Sequence, residues 1–151
     1  MKLEKKKIIL WLLFIIYLAF LFYIVFFAEA MGRTGPREYS YNLKLFGEIR
    51  RFIVYRHILG MRAVFLNIGG NILAFVPFGF ILPKLNKHTH HLIVIVLVSF
   101  LLSLSIEIVQ LFTKVGSFDV DDLLLNTTGG FIGYLVLLIV EWMIHLIKGN
   151  E

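Results

Sequence analysis

The run from Ile8 to Phe27 contains no charged residue, and it constrains the chain more than any other feature. Wound as a helix, its 20 residues rise about 30 Å, the thickness of a bilayer's hydrocarbon core. Three more stretches of similar character follow, so the pattern predicts spans over about 8–28, 63–82, 92–112 and 123–147. Such a chain leaves little room for a soluble module. At 59% hydrophobic residues and mean hydropathy +0.85, it exceeds the apolar share of an ordinary globular domain. The expected fold is an all-α integral membrane protein: one domain over 1–151, with four helices in up-down order.

The ends of these spans carry the charge. Four lysines (Lys2, Lys5, Lys6, Lys7) precede the first run and favour a cytoplasmic N-terminus. Ala28-Glu29-Ala30 resembles a cleavage site, but the run is longer than the roughly 7–15 residues of a signal-peptide core, so an uncleaved anchor is expected. The net charge of +5 fits anionic headgroups and loop bias. No nucleic-acid-binding signature accompanies it. The chain has no cysteine, which excludes disulfides and thiolate metal sites.

The first loop, 29–62, holds seven basic residues: Arg33, Arg37, Lys44, Arg50, Arg51, Arg56 and Arg62. Gly32, Gly35 and Pro36 make its first part irregular. From Leu43 to Leu59, Phe46, Ile49, Phe52 and Ile53 fall together on a helical turn, with Glu48 and Arg51 elsewhere. The segment reads either as a short helix in the membrane interface or as a solvated basic loop. The turn at 84–91 contains His88, His90 and His91. With no further ligands nearby in sequence, it reads as a solvated loop rather than a metal site. Glu141 and His145, beside Trp142, read as residues reaching for the interface.

Inside the spans, polar residues recur at helical spacing. Asn67 and Asn71 share a face of the second span, where Gly69 and Gly70 permit close packing and Pro77 is expected to kink or break the helix. Ser99, Ser103, Glu107 and Gln110 stripe the third. Glu107 is a carboxylate well inside a span, a placement that costs at least a few kcal/mol and demands a partner or a function. If the chain is helical from Asp119, then Asp119, Asp122, Asn126, Gly129 and Gly133 lie on one face of the fourth. Gly129-x-x-x-Gly133, with Gly130 between, is a helix-packing spacing.

Up-down connectivity brings these groups together. The start of the second span, the end of the third and the start of the fourth must all lie at one leaflet. With both termini cytoplasmic, that leaflet is the outer one. The basic residues divide seven inside and eight outside, so the orientation rests on the N-terminal cluster alone.

The three polar blocks also resemble a known family. Asn67-x-x-x-Asn71-Ile-Leu-Ala-Phe-Val-Pro-Phe-Gly-Phe, Ser103-x-x-x-Glu107-x-x-Gln110 and Phe118-Asp119-Val120-Asp121-Asp122-Leu-Leu-Leu-Asn126-x-x-Gly129-Gly130-x-x-Gly133 follow one another as in the VanZ-like family. The resemblance runs from about Asn42 to Tyr134. It implies a small multi-spanning protein of bacterial envelopes, whose founding member is linked to teicoplanin rather than vancomycin resistance. It also marks Asn67, Asn71, Glu107, Gln110, Asp119, Asp122 and Asn126 as the family's polar positions. Two departures stand out. The family often has a proline in the first-loop motif, where this chain reads Asn42-Leu43-Lys44-Leu45-Phe46. It often has Gly-Arg before the acidic block, where Lys114-Val115-Gly116 stands here.

Three readings of the polar cluster follow. In the first, a non-enzymatic outer cleft binds a lipid-linked cell-wall precursor, a polymer headgroup or a lipophilic glycopeptide. In the second, Glu107, Asp119 and Asp122 hold a divalent cation through oxygen ligands, and the protein is an interfacial enzyme on a lipid-linked phosphate. In the third, the polar groups only cap and join helices. The first is preferred, with no cofactor, because Asp-x-Asp-Asp is short and no histidine-containing hydrolase motif accompanies it.

Overall fold

The structure is a computed structural model, and it describes residues 2–28 and 39–149. Glu29, Ala30, Gly32, Arg33, Gly35, Pro36 and Arg37, which figured in the reading of the first loop, lie outside the described residues.

Among the described residues, four helices are long and apolar enough to cross a membrane, over Glu4–Phe26, Met61–Leu85, Leu92–Thr113 and Val120–Lys148. The first is α1 (Lys2–Tyr23), which widens into a π turn at Ile24–Ala28. A two-residue strand β1 (Tyr41–Asn42) and helices α2 (Gly47–Val54) and α3 (Arg56–Leu59) occupy the first loop. Helix α4 (Met61–Val64) runs through a second π turn, Phe65–Gly69, into α5 (Gly70–Leu85). A 3-10 turn, Lys87–Thr89, leads to α6 (Leu92–Thr113). Strand β2 (Phe118–Asp119) then opens α7 (Val120–Lys148).

The packing fixes the up-down order. Phe14 of α1 meets Phe78 of α5 with ring centroids 5.9 Å apart, while Leu21 clusters with Phe75. As one index rises the other falls, so these helices are antiparallel. Asn126 meets Ser103, and Tyr134 and Leu137 meet Ile95, so α6 and α7 are antiparallel too. Helices α5 and α7 are parallel: Gly129 sits on the Ile72 carbonyl and Gly133, one turn on, on the Val76 carbonyl.

That parallel contact is made by backbone. A Cβ at Gly129 or Gly133 would overlap those carbonyl oxygens, and one at Gly79 would overlap the carbonyl of Gly130. Lipid offers apolar surface as good as any side chain, so spans associate through close packing, which small residues allow. Gly79 is the small residue of α5 that does this. Gly70 has open space where its Cβ would stand, and Gly69 faces only the Phe65 ring. Nor does Pro77 break its helix: α5 continues through Pro77 and Pro83 to Leu85. Neighbouring helices re-satisfy the backbone groups a proline frees inside a span.

At the far end of the bundle from the acidic block, His90 Nε2 lies 3.1 Å from Glu141 Oε2, and its ring abuts Tyr134 edge-on. His90 and Glu141 therefore join α7 to the turn before α6, while His88 and His91 are exposed.

Candidate functional site

The site begins with how α7 starts. Asp119 is extended (φ −130°, ψ 121°) and stands at the N-cap, where its Oδ1 accepts the Asp121 N–H at 2.8 Å. Its backbone is tied twice more. The Asp119 N–H donates to Glu107 Oε2 at 2.8 Å, and β2 pairs in parallel with β1, Asn42 opposite Asp119. Asn42 Nδ2 then reaches Asp119 Oδ1 at 3.1 Å. The helix thus starts one residue later than the acidic stripe requires, and Asp119 leaves the stripe to become its cap.

Asp121 is not among the seven polar positions singled out from the sequence, where it reads only as a residue capping a helix start. It is 1% exposed. Its Oδ1 accepts the Phe46 N–H, and its Oδ2 accepts those of Glu48 at 2.8 Å and Ile49 at 3.1 Å. Helix α2 has no cap of its own, since the residue at its N-cap is Phe46 in the left-handed conformation (φ 61°). A carboxylate from another span serves instead, matching charge to the positive end of the helix and satisfying three of its orphan donors. The available signal was an amphipathic turn at Gly47–Val54 with no Ser, Thr, Asp or Asn at its start.

Held this way, α2 roofs a cavity of about 370 Å³. Glu48, Ile49, Arg51 and Phe52 form the roof; Asn67 and Ile68, from the π turn, form one side; Asp119, Asp121, Asp122 and Leu125 form another. Four carboxylates face one guanidinium, and Arg51 is already paired with Glu48 at 2.8 Å and stacked over Phe52. The walls are therefore net negative. Burial pushes the Asp119 carboxyl above the usual carboxylate range, and the charges of Asp121 and Glu48 add to the effect against the lowering hydrogen bonds from Asp121 N–H and Asn42.

The seven polar positions gather at one end of the bundle but divide in their contacts. Asn67, Asp119 and Asp122 line the cavity. Asn71 Nδ2 donates to Asp122 Oδ1 across the α5–α7 contact, while Asn67 Nδ2 bonds the Ala63 carbonyl of its own helix at 2.9 Å. Glu107, 2% exposed, stands behind the wall. Asn126 turns into the bundle towards Ser103 Oγ at 2.9 Å. Gln110 turns to the first span and donates to the Val25 carbonyl at 3.3 Å, satisfying a backbone group in the π turn that follows α1. Gly116 lets the following turn close over the Gln110 side chain. Lys114, from the segment that stands where the family often has Gly-Arg, extends over the Tyr39 ring at 4.4 Å.

As a metal site the cluster is weakly built. Among the described residues, no group of three or more His, Asp or Glu side chains could hold an ion together. Glu107, Asp119, Asp121 and Asp122 instead receive hydrogen bonds from the protein's own amides. No histidine lines the cavity. The arrangement can accept hydrogen bonds and present a negative field.

The model of the family described as VanZ/LLP1 matches residues 14–141. The chain belongs to the VanZ/LLP1 family. The matched region contains the whole cavity and all four spans in large part, and it starts beyond the N-terminal lysines. The chain is also 38% identical over 63 residues to Protein VanZ of Enterococcus faecium. That stretch covers 42% of this chain and 38% of the relative, so the alignment spans well under half of either. No solved structure matches. In this VanZ-family chain the acidic block therefore has a dual geometry: Asp119 and Asp121 anchor backbone, and Asp122 with Asn67 and Glu48 faces open volume.

Proposed function

We propose that this VanZ-family protein acts in a bacterial cell membrane to lower susceptibility to teicoplanin-type glycopeptides, without catalysis, by receiving the polar part of an amphiphile. The amphiphile is a lipid-linked wall precursor or the acyl-tailed drug itself. The observation that carries this reading is the cavity of about 370 Å³ at the level where the second and fourth spans begin. A molecule with its tail in the bilayer presents its polar group at that depth, so a tailed glycopeptide meets the site and a tail-less one does not. With both termini cytoplasmic, the cavity opens on the outer leaflet, where such drugs act. The resemblance to VanZ supports the phenotype class, and the cavity supports a polar site at that depth.

The test is teicoplanin and vancomycin susceptibility in a susceptible Gram-positive host, with the native chain and with Asp122→Asn at matched membrane levels. Selective teicoplanin protection that the substitution removes is the expected result. Protection that survives it would remove the cavity from the mechanism. Equal protection against both drugs would remove the role of the tail.

A further inference from the structure

The strip from Tyr41 to Arg62 has a surface that the cavity does not use. Its outward side is apolar: Leu43, Phe46, Val54, Ile58 and Met61 are all exposed, Ile58 at 81%. Interleaved with them are Lys44, Arg50, Arg56 and Arg62. Among the described residues none of these four cations is paired with a carboxylate. Arg56 spends one N–H on the Ile53 carbonyl at 3.0 Å, which caps the end of α2 and leaves its other donors outward. Glu48, the strip's one carboxylate, is taken by Arg51.

The depth of the strip is set by its two ends. Asp121, in the first turn of the fourth span, clasps the start of α2. Gly60, at φ 82°, turns the chain directly into the second span at Met61. The strip therefore lies where two spans enter the bilayer, at the boundary between headgroups and acyl chains. A surface both apolar and cationic at that depth matches one occupant: the apolar side chains enter the acyl region, and the guanidinium groups meet phosphate.

We propose that the strip from Tyr41 to Arg62, with α2 and α3 at its centre, forms a docking face for anionic phospholipid headgroups, held by Lys44, Arg50, Arg56 and Arg62. The face recruits anionic lipid to the rim of the cavity from the surrounding leaflet. It does so whatever the cavity receives, so the two readings stand or fall separately.

The chain has no cysteine, so Ile58→Cys gives one labelling site for a fluorophore. The full chain is reconstituted in vesicles of phosphatidylcholine and phosphatidylglycerol, with dibrominated acyl chains on one lipid or the other at equal mole fraction. The expected result is quenching at least about threefold stronger by brominated phosphatidylglycerol, given the pull of each basic residue near an anionic surface. Replacing Arg50, Arg56 and Arg62 together by Gln brings the ratio towards one, and replacing them by Lys preserves it. If the Gln variant fails to insert, Arg50→Gln and Arg62→Gln singly are expected to lower the ratio. Equal quenching by the two lipids in the native chain overturns the proposal, as does a ratio that the Gln substitutions leave unchanged. A probe reached by aqueous iodide and by neither lipid overturns it as well.

Discussion

Asp121→Asn tests whether one buried carboxylate holds the roof of the cavity. The native side chain accepts three backbone N–H groups at the start of α2. Asparagine offers one oxygen and one NH₂. Whichever way the amide turns, at least one buried N–H faces another donor, and the remaining bonds lose their charge. Hydrogen bonds to a charged group contribute about 1.5–3 kcal/mol each and neutral ones about 0.5–1.5. With one bond lost and two weakened, the cost is about 5 kcal/mol. Eight residues of helix have almost no stability of their own in isolation, so the loss should appear as opening of α2 rather than of the bundle. At 1.4 kcal/mol per tenfold, amide exchange across 46–54 should accelerate about a thousandfold, or to complete loss of protection. Exchange in α5 and α7 beyond the first turn should stay as it was. Hydrogen-exchange mass spectrometry of the reconstituted chain reads both. Unchanged protection of α2 in Asp121→Asn would refute the clasp. Faster exchange spread evenly over all four spans would show that Asp121 holds the bundle instead.

Three further predictions follow from the packing and the charges. Gly129→Ala and Gly133→Ala should each lower thermal stability in detergent by about 3 kcal/mol, the upper end for overpacking, because the new Cβ meets backbone. Gly70→Ala, with open space at its Cβ, should be neutral or stabilising by a few tenths to 1 kcal/mol. Ser99 Oγ is the buried side-chain polar atom among the described residues without a hydrogen-bond partner, so Ser99→Ala should leave stability unchanged or raise it by about 1 kcal/mol in the same melts. Asp119 has a folded-state pKa above the ordinary 3.8, so the folded state binds more protons than the unfolded one between those values. Stability then falls as pH rises through that window, and the penalty stays in full above it. Asparagine also caps a helix, so Asp119→Asn should gain on the native chain at neutral pH. That gain should vanish below about pH 3.8 in paired melts, and a gain independent of pH would contradict the assignment.

How far the sequence disclosed this structure depends on how far apart the interacting residues lie. The spans were legible because hydropathy is local: against the expected bounds the first began four residues earlier and ended two earlier, the second began two earlier and ended three later, the third ended one later, and the fourth began three earlier and ended one later. The gathering of Asn71, Glu107, Asp119 and Asp122 at one end was legible because alternating spans allow no other outcome. What each carboxylate holds was not legible. Asp121 bonds amides 72 to 75 positions away, and no periodicity within α7 distinguishes it from Asp122, its neighbour, which turns to Asn71 instead. Asn126 sits on the same stripe as Gly129 and Gly133, yet it faces α6 while they face α5, because α7 is wedged between two helices and a stripe 100° wide touches both. The first π turn escaped for a similar reason, since the donor to its Val25 carbonyl, Gln110, lies 85 positions away. An ionisable residue inside a span announced that something must satisfy it. For Glu107 part of that answer is the Asp119 amide, so the burial of one acid positions the cap of the helix that carries the other three. The acidic block is then a chain of supports, Glu107 to Asp119 to α7 and Asp121 to α2. Asp122, at its open end, is the acid whose loss should alter what the cavity accepts while leaving the roof in place.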